Sequence, residues 1–252
     1  MTNLTADTRG GAADGPILAI ETSAPTGGVA LVTASRVLAE RLLDVRVTYS
    51  ERLLPAIEAM MADSSVGFTD LAGIAVAVGP GSFTGLRIGI ATAQGLALAT
   101  GLPLVPVGTL LALAWKAWGA GGLIASALDA RRGEVYGAAF RRRGGEPVTI
   151  LEPRAVTPAA FAASLLAMEP AGIVVGPGAP LVFPHLAAPG IADARGAWER
   201  GPVHLLAPRA AAVGELGRRA LDRGESVLPE RLTAFYLRPP AARTLAEARE
   251  AR

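Results

Sequence analysis

The sequence predicts an α/β fold of two related lobes, and three observations carry that reading. Strand-like apolar runs come first, strands and helices then alternate, and this order passes twice along the chain. Ile17-Leu18-Ala19-Ile20 and Val29-Ala30-Leu31-Val32 flank the turn Ala24-Pro25-Thr26-Gly27-Gly28, which places a hairpin at the start of a mixed sheet. Third, the run Ala77–Ile90 joins a β-branched apolar segment to a Gly/Pro/Ser loop and then to a helical pattern, the layout of a strand, a turn and a helix N-terminus.

In order, Val37–Leu43 adds a third strand. Ser50 caps a helix to Met61 whose apolar face holds Leu53, Leu54, Ile57 and Met61, with a bend expected at Pro55. Ile74–Val78 is the strand before the loop, and Ser82 or Thr84 caps the helix after it. Leu102–Val107 is extended, and Thr109 caps a helix through Trp118. A second sheet then begins with Leu123–Leu128, a turn over Asp129–Glu134, and Val135–Phe140, closed by Arg141-Arg142-Arg143-Gly144-Gly145. Thr157-Pro158 opens a helix to Met168, Ile173–Val175 is a strand followed by the turn Gly176-Pro177-Gly178, and Pro208 or Arg209 begins a helix to Arg223. Phe235–Arg238 is a last extended piece. The domain expectation is a disordered tail over 1–15, a lobe over 16–108, a second over 109–238, and a tail over 239–252.

With 51% hydrophobic residues, the chain buries a sizeable core. Its 24 basic and 22 acidic residues leave a formal charge of +2, so the high pI reflects arginine usage and implies no nucleic-acid surface. Lys116 is the single lysine. The absence of cysteine excludes disulfides and thiolate chemistry. Pro103 and Pro106, with Gly101 and Gly108, break the uncharged stretch between Ile88 and Trp115, so a cytoplasmic protein without a membrane span is expected.

The loop Gly79-Pro80-Gly81-Ser82-Phe83-Thr84-Gly85 collects free N–H groups at a helix start. It lacks the lysine and hydroxyl of a P-loop, and a dinucleotide motif would need glycine at Thr84. Anion binding and a ligand-free turn therefore both remain open. In the helix beyond, Gly85, Gly89, Ala93 and Ala97 form one small-residue row, and Ala91, Gly95 and Ala99 form another. Glycine inside a helix costs about 1 kcal/mol relative to alanine, so the rows answer a packing demand from the chain's own core or from a partner helix. Glu21 ends the first strand, where an acid positions a nucleotide, acts as a base or caps a turn; Asp129 and Glu134 flank the later turn. His185 and His204 are too far apart to form a helical metal pair, and no Ser-His-Asp arrangement is evident. Arg141–Arg143 read as a solvated strand end, with a contribution, alongside Arg131 and Arg132, to a composite basic surface as the sharper alternative.

Ile17–Ser23 with Val29-Ala30-Leu31, Gly79–Gly89, Ala127–Tyr136 and Tyr236-Leu237-Arg238, in that order, resemble the TsaB (YeaZ) family. The resemblance implies an actin/hexokinase/Hsp70-like (ASKHA) fold, with each lobe on a five-stranded mixed sheet. It implies a non-catalytic subunit, no enzyme alone, that supports the paralogue TsaD in transferring threonylcarbamoyl to N6 of adenosine 37 in tRNAs reading ANN codons. TsaE joins as a third component, tRNA is met through the complex, and the chain forms a homodimer when alone. No tightly bound cofactor and no metal are implied, and at most weak ATP or ADP binding at a vestigial phosphate loop of Glu21, Thr22, Ser23, Gly79, Gly81, Ser82, Thr84 and Gly85. The family's two-helix contact maps onto Leu53, Leu54, Ile57, Met61, Arg87, Gly89, Ala93 and Ala97. Tyr49 stands where the family often has histidine, and Gly176-Pro177-Gly178 is a poor remnant of a nucleotide block. An ATP-dependent phosphotransferase of the sugar-kinase type and an inactive peptidase-like homodimer are the competing readings.

Overall fold

The computed structural model describes residues 14–44, 49–117, 119, 122–187 and 197–238. The expected tails before residue 14 and from 239 onward, and the helix end at Trp118, lie outside the described residues.

The chain opens with β1 (Ile17–Glu21), β2 (Thr26–Val32) and β3 (Val37–Asp44), then α1 (Leu53–Asp63), β4 (Gly73–Gly79), α2 (Phe83–Thr100), β5 (Leu104–Gly108) and α3 (Thr109–Trp115). The first sheet has the order β3-β2-β1-β4-β5. β1 pairs antiparallel with β2 and parallel with β4, and all five of its residues are buried. A strand covered on both faces reads as a continuous apolar run, which is why Ile17–Ile20 shows no alternation.

The second sheet is built from β6 (Leu123–Arg131), β7 (Glu134–Arg143), β8 (Glu146–Val156), β9 (Gly172–Val175) and β10 (Trp198–Arg200), with α4 (Pro158–Met168) and α5 (Ala179–Leu186) between them; α6 (Ala210–Asp222) follows. Its order, β10-β9-β6-β7-β8, repeats the first topology. In each sheet the first strand is antiparallel to the second and parallel to the fourth. Gly-Pro-Gly recurs as well, at 79–81 after β4 and at 176–178 after β9, each time leading into a helix.

The two faces of the first sheet carry different layers. Leu18, Ile20, Val29, Leu31, Ile74 and Val76 pack with α1 and α2, while Ile17, Ala19, Ala30, Val32, Ala75 and Ala77 meet α6. Burying side chains such as Leu53, Ile57 and Met60 of α1 contributes about 1.5–3 kcal/mol each. The expected second lobe over 109–238 is corrected by α6. The chain returns to the first sheet after residue 209, because Ala210, Ala212, Val213 and Leu216 fill its second face. Val227 then bridges Leu104, and the Phe235 N–H donates to Val78 O at 2.7 Å.

Other departures have local causes. α1 starts at Leu53 with Arg52 as N-cap in place of Ser50. Pro55 thus falls in the first turn, where its missing N–H has no intrahelical partner to lose. Thr109 is the first residue of α3 and Gly108 its N-cap. β6 continues to Arg131, which shrinks the expected turn to Arg132-Gly133. Phe235–Arg238 belongs to no strand. β8, α5 and β10 carry no sequence signal: β8 holds Pro147 and Pro153 on a sheet edge where proline is tolerated, and α5 contains Pro180 and Pro184. Among the described residues no helix is long and apolar enough to cross a membrane.

Close approach of α6 to the sheet depends on missing side chains. A Cβ at Gly217 would lie 2.3 Å from Ala75 Cβ, and one at Gly214 would lie 2.5 Å from Val32 Cγ2. Gly95, on the outer surface of α2, has nothing within 4 Å of that position. Gly217→Ala is therefore expected to lower stability to denaturant by about 1–3 kcal/mol. Gly95→Ala is expected to raise it by up to about 1 kcal/mol. Equal effects at the two sites in urea unfolding would contradict this packing.

Candidate functional site

The glycine loop and the end of β1 are one unit. Ser82 caps α2 by accepting the Gly85 N–H at 3.3 Å, and its own N–H donates to Ser23 O at 2.6 Å. A Cβ at Gly81 would lie 2.5 Å from Ser23 O, at Gly85 2.1 Å from Thr22 O, and at Gly89 2.2 Å from Thr22 Oγ1. The structure thus brings Glu21, Thr22, Ser23, Gly81, Ser82 and Gly85 together, with Gly79 buried beside them and Thr84 exposed. The close approach that glycine permits at 81 and 85 is occupied by this chain's own backbone. Gly176 and Gly178 do the same against Ala127 and Leu128 in the second sheet.

Glu21 is fully buried. Its Oε1 accepts the Ser23 N–H at 2.6 Å, whereas Glu21 Oε2, Thr22 Oγ1 and Ser23 Oγ have no partner among the described residues. Burial raises the carboxyl pKa to about 6, against the opposing pull of Ser23 and the more distant Lys116 charge. The Tyr49 hydroxyl donates to Ala24 O at 2.7 Å, with Pro25 O at 3.2 Å, and so closes the turn after Ser23. Burial, then the Glu21 and Asp44 charges, push its pKa up. The position needs Gly27, where a Cβ would sit 2.7 Å from the Tyr49 hydroxyl. Sequence reasoning noted Tyr49 only as a departure; its anchoring role has no signal without the fold.

The helix contact expected at Leu53, Leu54, Ile57, Met61, Arg87, Gly89, Ala93 and Ala97 requires correction. Leu53, Ile57, Met61, Gly89, Ala93 and Ala97 are all buried inside this chain. The row Gly85-Gly89-Ala93-Ala97 faces inward because Thr22 and the first sheet's core lie against it. Leu54, 46% exposed, and Arg87 remain on the surface. The second row, Ala91, Gly95 and Ala99, faces outward beside Leu98, which is 74% exposed. Arg87 lies 4.0 Å over the Phe83 ring, which meets Tyr236 at 5.3 Å.

The remaining candidates separate. Asp129 accepts the Arg131 N–H at 2.7 Å and caps its turn, and Glu134 pairs with Arg238. Arg131 and Arg132 sit at one end of β7 and Arg141–Arg143 at the other, about 30 Å apart, and Arg141 pairs with Glu169; they form no single patch. His185 is exposed, while His204 lines a cavity on the far side of the first sheet. Among the described residues no group of three or more His, Cys, Asp or Glu side chains is gathered to hold a metal.

Since folding raises the Glu21 pKa, the folded chain binds this proton more tightly than the unfolded one. Stability from this group is complete below about pH 4.5 and is lost as pH rises through about 6. Glu21→Gln is expected to flatten that decline and to gain on the order of 2 kcal/mol at pH 7.5 in urea unfolding. Identical pH slopes for the two proteins would refute the assignment.

Comparison with known proteins places this geometry in context. The family profile described as TsaD: tRNA N6-adenosine threonylcarbamoyltransferase matches residues 20–172. The tRNA threonylcarbamoyladenosine biosynthesis protein TsaB of Escherichia coli (strain K12) is 40% identical over 148 residues, covering 56% of this chain and 64% of the relative. The Bacillus subtilis (strain 168) protein of the same name is 40% identical over 129 residues, covering 51% of this chain and 56% of the relative. The aligned part thus spans less than two thirds of either curated relative. The solved structure of YeaZ from Pseudomonas aeruginosa superposes with a TM-score of 0.75 at 28% identity, covering 88% of this chain and 100% of that one. A Pseudomonas aeruginosa protein with similarity to peptidase YeaZ gives a TM-score of 0.76 at 29% identity, covering 89% and 100%. Both share the two-lobe ASKHA-like architecture of paired mixed sheets. On the profile match, the similarity to curated TsaB proteins and the common fold, the chain belongs to the threonylcarbamoyltransferase family, on its TsaB (YeaZ) branch.

Proposed function

We propose that this chain is a non-catalytic TsaB-type subunit that works by holding the catalytic paralogue TsaD. In that role it supports transfer of threonylcarbamoyl to N6 of adenosine 37 in tRNAs reading ANN codons, in the cytoplasm, with TsaE as a further component. The carrying observation is the uncovered face of the α1/α2 layer: Ala91, Gly95 and Ala99 in a row, with Leu98 beside them and Leu54 exposed on α1. Small residues at four-residue spacing let a second helix lie close, and Leu98 and Leu54 supply apolar area for it to cover. When TsaD is absent, the same face is available to a second copy of this chain.

The glycine loop supports a subordinate role. With Thr22 and Ser23 backbone filling the approaches at Gly85 and Gly81, the site holds ATP or ADP weakly at most. Glu21, with no exposure, serves the loop's packing and is closed to a substrate from solvent in this conformation.

The test is binding to purified TsaD by calorimetry, paired with mass spectrometry of nucleosides from tRNA modified in a reconstituted reaction. Ala91→Leu and Leu98→Asp are each expected to weaken binding by about tenfold or more while leaving the circular dichroism spectrum intact. Modification is expected to require both proteins, with this chain inert alone. Unchanged affinity in both variants would remove the α1/α2 face from the contact.

A further inference from the structure

On the other side of the first sheet, a cavity of about 350 Å3 is lined by Glu40 of β3, Trp115 and Lys116 at the end of α3, His204, and Arg209 and Glu215 around the start of α6. Its size lies within the range of small-molecule sites. Lys116 is the only lysine in a chain whose other basic residues are all arginine. The distinction is chemical: a guanidinium keeps its proton, whereas an amine can lose one and become a nucleophile.

The surrounding groups favour that loss. Glu40 is engaged elsewhere, accepting from Arg209 Nε at 3.1 Å and from the Ala211 N–H at 3.1 Å. Glu215 accepts the Trp115 indole N–H at 2.5 Å. Lys116 Nζ donates to the Ala207 carbonyl and has no ion pair among the described residues. Partial burial, then the Arg209 charge, draw its pKa down to about 8, against the attraction of Glu40 and Glu21. A neutral amine can keep its hydrogen bond to Ala207 O and still present a lone pair to the cavity.

We propose that Lys116 is an acyl-accepting site, modified by small activated acyl groups carried as mixed anhydrides with phosphate. The neutral Nζ attacks the acyl carbon, the N–C bond forms, the C–O bond to phosphate breaks, and phosphate departs with that electron pair. The surplus Nζ proton passes to water or to His204, which lines the same cavity. Arg209, paired with Glu40, lines the same cavity, where its charge can stabilise the departing anion. The product amide retains an N–H for Ala207 O and removes the cavity's positive charge at Lys116.

Acetyl phosphate is the probe, with full-length protein and peptide mapping by mass spectrometry to separate Lys116 from the terminal amine. At pH 7.5 Lys116 is expected to acetylate about tenfold or more faster than Nα-acetyl-lysine amide, since far more of it is unprotonated. The rate should level off near pH 8, and the advantage should vanish in denaturing urea. Lys116→Arg should keep the circular dichroism spectrum and lose the adduct. A native rate no greater than that of the model amine, a pH profile rising past about 10, or an advantage that survives unfolding would each overturn the proposal. These readouts use the native protein and decide the matter even if Lys116→Arg does not fold.

Discussion

The contact on which the molecule turns is the seating of α2 on the end of β1, where Thr22 and Ser23 lie against Gly81, Gly85 and Gly89. A side chain at any of the three positions would collide with backbone or with a buried hydroxyl. That demand fixes the rotation of α2 about its axis. One row of small residues is committed to the interior, and the helical repeat carries the other, Ala91-Gly95-Ala99, outward. The exposed face is therefore a geometric consequence of how the loop closes.

The same closure accounts for the chemistry left at the loop. Glu21, Thr22 and Ser23 keep buried polar atoms without partners among the described residues, an arrangement that opposes stability. Tyr49 and Gly27 hold the turn from the other side. The strand, turn and helix start are kept while the space between them is packed with the chain's own atoms, in keeping with the proposed role of presenting a surface.

Much of this was legible in the residues. The β1–β2 hairpin, β4 with its loop, the Ser82 and Thr157 caps, α4 and α6 all follow from apolar pattern and capping chemistry. β8, α5 and β10 do not, because two are punctuated by proline and the third is three residues long. At the site, the sequence announced two small-residue rows but could not say which was buried; that depends on Thr22, far away in the chain. Leu98 passed unnoticed for a related reason, since a leucine in an apolar helix marks itself as surface only once the sheet beneath is placed.

The return of α6 to the first sheet has a bearing on how the chain is made. The second face of that sheet is covered only in part, by α3, until Ala210–Leu216 has been synthesised, although strands β1 to β5 are complete by residue 108. The second sheet, by contrast, gathers all its strands between residues 123 and 200. On the ribosome the later lobe can therefore finish assembling first, while the earlier one waits, half covered, for a helix translated only after the second sheet's strands.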